Sequence, residues 1–432
     1  MKRAISVVIL IALSLSLACC KSAETDRTPA ADEYADYNTT GKANPETDPI
    51  ADPETDPKTD PIADLKADPE ADPETDPMIS SEKETSENIS TGEKEITMDD
   101  NTLSTPTPTP TPLPVPVFGY IDAHADTITR ALQPKYKAGL YSNVLHVDFE
   151  RLLAYGAPVQ VFVLWCADRY VDNAYEYTNS LIDFFESELE KHSDVIELAL
   201  SLDDLERIGR SGKISALMSI EGGEALMGDI SNLDHFYDRG VRIFGPTWNR
   251  ENALGYGQET NSKEGLKPFG IEVVRRVEEL GMILDVSHLN EAGFWDAHNN
   301  STKPYMASHS NCYALVPHNR NLRDDQIKAI ADRGGIIGIA LYPEFLVRGN
   351  KVNAGIPDVL KHIGHFIELG AGGNIGSGSD FDGFSNMPDG ITDVSSMKSV
   401  AEAIKEAYGE DVSTGVMWRN FYDFFVRFYR GS

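Results

Sequence analysis

Histidine and carboxylate side chains follow several short apolar runs of this 432-residue chain. The first run leads into His124 and Asp126, and later runs lead into Glu221, His288 and His309. In an extended His-x-Asp segment the side chains at positions i and i+2 point the same way, so His124 and Asp126 can hold one metal ion. His288 and His309 suit a second ion, and Glu221 suits a bridge between the two. Imidazole with carboxylate favours Zn²⁺, with Mn²⁺ or Co²⁺ as alternatives, and two ions about 3.5–4 Å apart can share a hydroxide.

The elements that must position these residues follow from the hydrophobic pattern. Short apolar runs predict eight strands, at 117–121, 159–165, 214–220, 241–244, 282–286, 304–307, 336–341 and 374–378. Helical periodicity lies between them, at 174–191, 271–280, 324–332 and 359–369. Eight strands alternating with helices predict an α/β fold, a parallel (β/α)₈ TIM barrel. In such a barrel the carboxyl ends of the strands share one face, so the ligand-type residues are expected to converge there.

Six motifs occur in the order of a known family. They are Ile121-Asp122-Ala123-His124-Ala125-Asp126, Ile220-Glu221-Gly222-Gly223, Asp285-Val286-Ser287-His288, Ala307-Ser308-His309-Ser310, Asn319-Arg320-Asn321-Leu322-Arg323-Asp324-Asp325 and Gly378-Ser379-Asp380-Phe381-Asp382-Gly383. From about residue 118 to the C-terminus the chain thereby resembles the membrane (renal-type) dipeptidases, peptidase family M19. The resemblance implies a metallo-dependent hydrolase barrel, a binuclear zinc centre and cleavage of dipeptides.

The resemblance also implies a role for each matching residue. His124 and Asp126 would hold one zinc ion, His288 and His309 the other, and Glu221 would bridge them.

Two further roles come from the later motifs. Asp380 would be the proton-transfer carboxylate, and Arg320 would bind the substrate carboxylate or the oxyanion. These roles agree with the chemistry, because the leaving amine needs a proton and a planar guanidinium pairs with a carboxylate through two hydrogen bonds. Asp382 is the weaker alternative to Asp380.

One position departs from the family pattern. Better-known members carry a substrate-contacting His in a Thr-His pair after the fourth strand, whereas this chain has Thr247 and Trp248. Trp cannot act as an acid or a base, although its indole N–H donates. We expect Asn249 or Asn252 to supply the missing donor and Trp248 to pack beside an apolar substrate side chain. The alternative is a slow enzyme in which no neighbour replaces the donor and Trp248 shapes the pocket instead.

Two other functions remain alternatives at this point. Another binuclear amidohydrolase would act on N-acyl amino acids or lactones. A binding lipoprotein on an inactive barrel would have lost a ligand, and all five ligand-type residues are present. The chain has 38 basic and 69 acidic residues, a net charge of −31, which argues against a nucleic-acid partner. The sequence leaves the oligomeric state open, with a homodimer as one option.

The first residues predict a signal peptide and a lipid anchor. Lys2 and Arg3 precede an apolar run over 4–17, and Cys19 and Cys20 follow it. This pattern, with residues 1–20 as the signal peptide, is typical of a bacterial lipoprotein signal with Cys20 lipidated; Cys19 and an ordinary secretory signal are the alternatives. We therefore expect an extracytoplasmic protein that is lipid-anchored to the bacterial cell membrane.

Residues 21–117 predict an acidic linker. They repeat Asp-Pro and Thr-Pro and hold seven basic and 24 acidic residues. So few large apolar side chains cannot offset the entropy of ordering, so this segment is expected to be disordered. The third region, 118–432, is expected to be the dipeptidase barrel.

Overall fold

The computed structural model of the protein describes residues 117–349 and 353–431. The predicted signal peptide, its lipidated Cys20 and almost all of the predicted linker lie outside these residues. Among the described residues, no helix combines the length and the apolar character that crossing a bilayer requires.

Parallel strands form the centre of the described part of the chain. The strands are β1 Ile121–Ala125, β2 Val159–Trp165, β3 Ile196–Leu198, β4 Ile214–Glu221, β5 Val241–Gly245, β6 Ile283–Leu284, β7 Met306–Ala307, β8 Ile336–Ile339 and β9 Ile375–Ser377. Eight of them are hydrogen-bonded in the order β6-β5-β4-β2-β1-β9-β8-β7. The ring closes where Val286 N donates to Met306 O at 2.9 Å, beside a parallel bridge between Asp285 and Met306. The predicted (β/α)₈ barrel is therefore confirmed.

Helices surround this ring in the described residues. They are α1 Thr127–Ala131, α2 Phe149–Leu153, α3 Ala174–Lys191, α4 Leu202–Ser211, α5 Ser231–Asp238, α6 Pro268–Glu279, α7 Glu291–Asn300, α8 Asp324–Asp332, α9 Pro343–Leu346, α10 Ile356–Glu368, α11 Met397–Tyr408, α12 Glu410–Thr414 and α13 Asn420–Arg430. The predicted helices at 174–191 and 324–332 coincide with α3 and α8, because their apolar residues recur at a clear helical period.

The side chains of β4 point alternately into the barrel and towards the surrounding helices. Leu217 belongs to an inner apolar cluster, whereas Met218 and Ile220 belong to the outer cluster under the helices. Successive strand residues point to opposite faces, so Glu221 continues the inward phase of Leu217. The inner cluster also contains Phe421 and other aromatic residues of α13. This helix supplies apolar packing for the barrel interior.

The structure departs most from the predicted strands at two places. The first strand is β1, four residues after the predicted start, because Phe118 instead packs on Tyr422 of α13 with ring centroids 5.5 Å apart. The short strand β3 was not predicted; it pairs with Ile214–Ala216 outside the ring, and three residues are too few to show a period.

One buried histidine lies away from the predicted ligands. His362 Nδ1 accepts from the Cys312 backbone N–H at 3.1 Å, and its Nε2 contacts the Leu346 carbonyl at 3.2 Å. These contacts require a neutral ring with the proton on Nε2. Burial accordingly lowers the pKa of His362 to about 4. The two cysteines of the described residues, Cys166 and Cys312, are free and buried.

Candidate metal centre

The five predicted metal ligands lie at the carboxyl ends of four barrel strands. His124 is the penultimate residue of β1 and Asp126 follows that strand, Glu221 ends β4, His288 follows β6, and His309 follows β7. All five side chains are buried. The structure therefore brings together residues that are up to 185 positions apart in the chain (309 − 124 = 185).

The Glu221 carboxylate lies at the centre of the cluster. Its Oε1 is 2.8 Å from His288 Nε2, 3.6 Å from His309 Nε2 and 3.7 Å from His124 Nε2. The Nε2 atoms of His288 and His309 are 2.9 Å apart. On the other side, His124 Nε2 is 3.6 Å from Asp126 Oδ2. One carboxylate thus adjoins both predicted ligand pairs, as a bridging ligand must.

The hydrogen bonds behind His288 decide which of its nitrogens faces the cluster. Asn249 Nδ2 donates to Glu259 at 2.9 Å, and Asn249 Oδ1 accepts from Gln258 at 2.6 Å. The same Oδ1 is 2.8 Å from His288 Nδ1, so Nδ1 carries the ring proton and donates. His288 Nε2 is then a bare lone pair that faces the Glu221 carboxylate.

These atoms fit a bound cation. While Glu221 is ionised and His288 carries its proton on Nδ1, His288 Nε2 and Glu221 Oε1 are two acceptors 2.8 Å apart with no proton between them. His124 Nε2 is buried and has no hydrogen-bond partner among the described residues. Buried polar atoms of this kind are costly unless they bind a partner of opposite polarity. Imidazole nitrogens and carboxylate oxygens are the donor set that Zn²⁺ prefers.

The electrostatics of the cluster agree with this fit. Burial raises the pKa of Glu221 to about 8, with His124 opposing the shift and Asp126 and Asp380 adding to it. Burial lowers the pKa of His309 well below its ordinary value, and the charges of His124 and Arg320 lower it further. Burial opposes protonation of His124, but Glu221 and the neighbouring aspartates raise its pKa to about 10. The cluster therefore needs positive charge to keep its carboxylates ionised.

The two aspartates after β9 have different environments. Asp380 lies with His124 and Asp126 in one group of potential ligand atoms, all within 4.8 Å of one another. Burial raises the pKa of Asp380 to about 7, with His124 opposing and Asp126 adding. Asp382 points away from that group and is completely buried. Its carboxylate accepts from Thr127 Oγ1 at 2.8 Å and from the His146 N–H at 2.8 Å.

Arg320 lies beneath the histidines with a buried guanidinium. Nη1 donates to the Ser287 carbonyl and Nη2 donates to the His309 carbonyl at 3.1 Å, while Nε has no hydrogen-bond partner among the described residues. Burial lowers the pKa of Arg320 to about 10, against the opposing charges of Glu221 and Asp380. The guanidinium is thus fixed next to the cluster and stays positively charged at neutral pH.

The side chains of Asn249 and Asn252, which were predicted to bind substrate, make hydrogen bonds within the protein. Asn249 lies behind His288, where its amide is used as described above. Asn252 Nδ2 donates to the Pro246 carbonyl at 2.9 Å, and its Oδ1 accepts from the Leu254 N–H at 2.8 Å. Both amides are engaged within the protein, so the expectation that one of them replaces the missing imidazole donor is not supported.

Trp248 itself faces the cluster and has an aromatic neighbour. Its ring centroid is 6.3 Å from that of His288 and 5.0 Å from that of Trp165. Trp165 ends β2 in register with Glu221. Sequence analysis missed Trp165, although the parallel register of β2 and β4 could have indicated it. Two further residues were likewise not predicted: Ser308, which contacts two of the predicted ligands, and Asp285, which accepts a hydrogen bond from Ser308.

Comparisons with known proteins agree with the geometry. The family described as membrane dipeptidase (peptidase family M19) matches residues 116–426. Dipeptidase tcpJ of Claviceps purpurea is 36% identical over 225 residues, which cover 52% of this chain and 53% of that protein. An uncharacterised protein of the pqqA 5′ region of Klebsiella pneumoniae is 34% identical over 234 residues, 52% of this chain and 86% of its own length.

Solved structures show the same relationship. A dipeptidase described as a metallopeptidase of family M19 superposes with a TM-score of 0.68 at 26% identity, covering 73% of this chain and all of its own. A metallopeptidase from Rhodobacter sphaeroides superposes with a TM-score of 0.67 at 25% identity, covering 72% and 99%. The chain therefore belongs to the membrane dipeptidases, peptidase family M19, and is a metal-dependent peptide hydrolase.

Proposed function

We propose that this protein is a zinc dipeptidase that hydrolyses the peptide bond of dipeptides at a two-ion centre bridged by Glu221. The observation that carries the proposal is the pair of ligand sets on either side of one buried carboxylate. His124 and Asp126 would hold one ion, and His288 and His309 the other. When bound, two zinc ions would supply Lewis acidity and would lower the pKa of a water molecule towards about 7, so that this water could act as the nucleophile.

The remaining residues would bind the substrate and transfer protons. Asp380 adjoins Asp126 and His124, so its carboxylate can take a proton from the attacking water and return it to the leaving amine. Arg320 is fixed by the carbonyls of Ser287 and His309, so its charge can hold the substrate carboxylate or the developing oxyanion.

Substrate size and side-chain preference would follow from the walls of the site. The Rhodobacter sphaeroides relative was solved with a phosphinate mimic of the dipeptide L-Ala-D-Ala. A substrate of that class has one carboxylate, which suits Arg320, and one scissile amide, which suits the ligand cluster. The paired rings of Trp165 and Trp248 offer an apolar wall beside His288, so we propose a preference for apolar side chains.

The direct test is a substrate panel. The purified chain should hydrolyse free dipeptides, lose that activity on chelation and regain it with zinc. Activity on N-acyl amino acids or lactones without activity on dipeptides would instead establish the alternative amidohydrolase function.

We also propose that the protein is held outside the cytoplasm by a lipid on Cys20. The support is the signal pattern of the first twenty residues, and the acidic linker would then separate the barrel from the membrane. Cys20→Ser, compared with Cys19→Ser, should release the protein from the membrane fraction of bacterial cells. Wild-type protein recovered in soluble form, without lipid on either cysteine, would refute the anchor.

A further inference from the structure

The hydroxyl of Ser308 contacts two of the proposed zinc ligands from behind. Ser308 Oγ is 2.8 Å from His309 Nδ1 and 3.2 Å from His124 Nδ1. It also lies 2.5 Å from Asp285 Oδ2. One hydroxyl therefore adjoins one histidine from each proposed ligand pair, together with a buried carboxylate.

The hydrogen positions follow from the partners of Asp285. Its Oδ1 accepts from Ser287 N at 3.1 Å, from Ser287 Oγ at 2.9 Å and from Ser308 N at 2.9 Å. The other oxygen, Oδ2, can only accept, so Ser308 gives it the single hydroxyl hydrogen. The Asp285 carboxylate lies within 4.8 Å of ligand atoms on His124 and His309, which would also suit a metal ligand. It already accepts four hydrogen bonds, so we assign it the role of orienting Ser308 instead.

The two histidines must then donate to Ser308. Ser287 Oγ lies 3.1 Å from Ser308 Oγ but gives its hydrogen to Asp285 Oδ1. The Ser308 hydroxyl oxygen therefore keeps two lone pairs after giving its own hydrogen to Asp285, and each lone pair can accept one Nδ1–H. The proton on Nδ1 of His124 and of His309 is thereby fixed, which leaves Nε2 of each ring as the atom that can bind metal. Both Nε2 atoms face Glu221, at 3.7 Å and 3.6 Å.

Backbone packing keeps Ser308 in place. Its carbonyl passes so close to β8 and the end of β9 that a Cβ at Gly338 would lie 1.9 Å from it, and a Cβ at Gly378 would lie 1.8 Å from it. A residue held this closely cannot turn its hydroxyl away by moving its backbone.

We propose that Ser308, oriented by Asp285, couples the two metal positions by fixing one ligand of each in the form that binds metal. This proposal rests on the proposed function, since it assigns His124 and His309 to different ions. His288 is outside the coupling, because Asn249 fixes its tautomer separately. Partners of this kind typically change metal affinity by about 10–100-fold.

Titration of the metal-depleted full chain with Co²⁺ tests the coupling, since its d–d absorption reports each ion as it binds. Ser308→Ala should weaken both binding steps by about 10–100-fold. Ser308→Thr keeps the hydroxyl and should restore both steps. Asn249→Ala is the matched control, and it should weaken one step only.

Asp285→Asn provides a second variant with the same shape. The amide oxygen would replace Oδ1, which has three donors, so the NH₂ group would face Ser308 and donate to it. The serine hydrogen would then turn towards the histidines, and both Co²⁺ steps should weaken although Ser308 is intact.

Two results would overturn the coupling. Co²⁺ affinities within threefold of wild type in folded Ser308→Ala and Asp285→Asn would exclude it, and so would a loss confined to one step. A wild-type chain that binds fewer than two Co²⁺ ions would overturn the proposed function and the coupling together, so the wild-type titration separates the two failures.

Discussion

Asp380 and Asp382 provide a matched pair of variants that separates chemistry from stability. Both residues have a positive φ, 60° and 67°. Asn tolerates this backbone conformation as well as Asp does, so Asp380→Asn and Asp382→Asn change the carboxylates without changing the fold of the loop. Any difference between the variants therefore reports what each carboxylate contacts.

The two variants should differ in what they lose: Asp380→Asn should lose kcat, and Asp382→Asn should lose stability. Asp380 would act as the proton-transfer group, so its amide should lower kcat by about 10²–10⁴-fold while both metal ions stay bound. Asp382 accepts from Thr127, His146 and Val147, and its side chain lies 3.6 Å from Arg130 Nε. An amide there turns an NH₂ group towards a donor, which should cost about 1–3 kcal/mol of unfolding free energy and leave kcat nearly unchanged.

Three measurements on each variant decide the matter: kcat at saturating dipeptide, zinc per chain, and urea unfolding. A larger kcat loss in Asp382→Asn than in Asp380→Asn would refute the assignment and move proton transfer to Asp382. Loss of an ion from Asp380→Asn would make Asp380 a metal ligand instead.

Three further changes test other parts of the account. Trp248→Ala should reduce the kcat/KM preference for apolar over polar dipeptides by about tenfold, measured on a dipeptide panel, and an unchanged preference would remove Trp248 from the substrate wall. Arg320→Lys keeps the positive charge but loses the planar guanidinium, so kcat/KM for dipeptides should fall by about 10–100-fold. The same dipeptide with its C-terminal carboxylate amidated should be affected less. His362 is neutral when folded and its pKa is lowered to about 4, so its contribution to stability is complete above about pH 6.5 and is lost as the pH falls towards 4. Between those pH values the free energy of unfolding, measured with urea, should rise with pH less steeply in His362→Gln than in wild type, by about 1.4 kcal/mol per pH unit. Equal slopes would contradict a neutral, buried His362.

The barrel strands and the ligand-type residues that follow them were largely predictable from sequence because both signals are local. An apolar run followed by His or Glu marks the end of a barrel strand, and barrel geometry then brings His124, Glu221, His288 and His309 to one face. Helices α3 and α8 were equally accessible, since their apolar residues repeat over two or more turns.

The contacts behind the ligands were not predictable in this way. Asn249 has a carboxamide that suits substrate binding, yet the loop after β5 returns to the site and places Gln258 and Glu259 around that amide. Asp285 and Ser308 belong to motifs that were identified, but their role depends on a hydrogen-bond direction that only the folded arrangement fixes. The ligand-type residues were therefore predictable from the sequence, whereas the residues that would orient them were not.

The zinc content of the purified chain tests the central claim most directly. Two ligand sets around Glu221 predict about two zinc ions per chain, falling to about one in His288→Ala, with dipeptide hydrolysis lost in parallel. A wild-type chain that hydrolyses dipeptides with no more than one ion, or a His288→Ala chain that retains two, would contradict the two-ion centre.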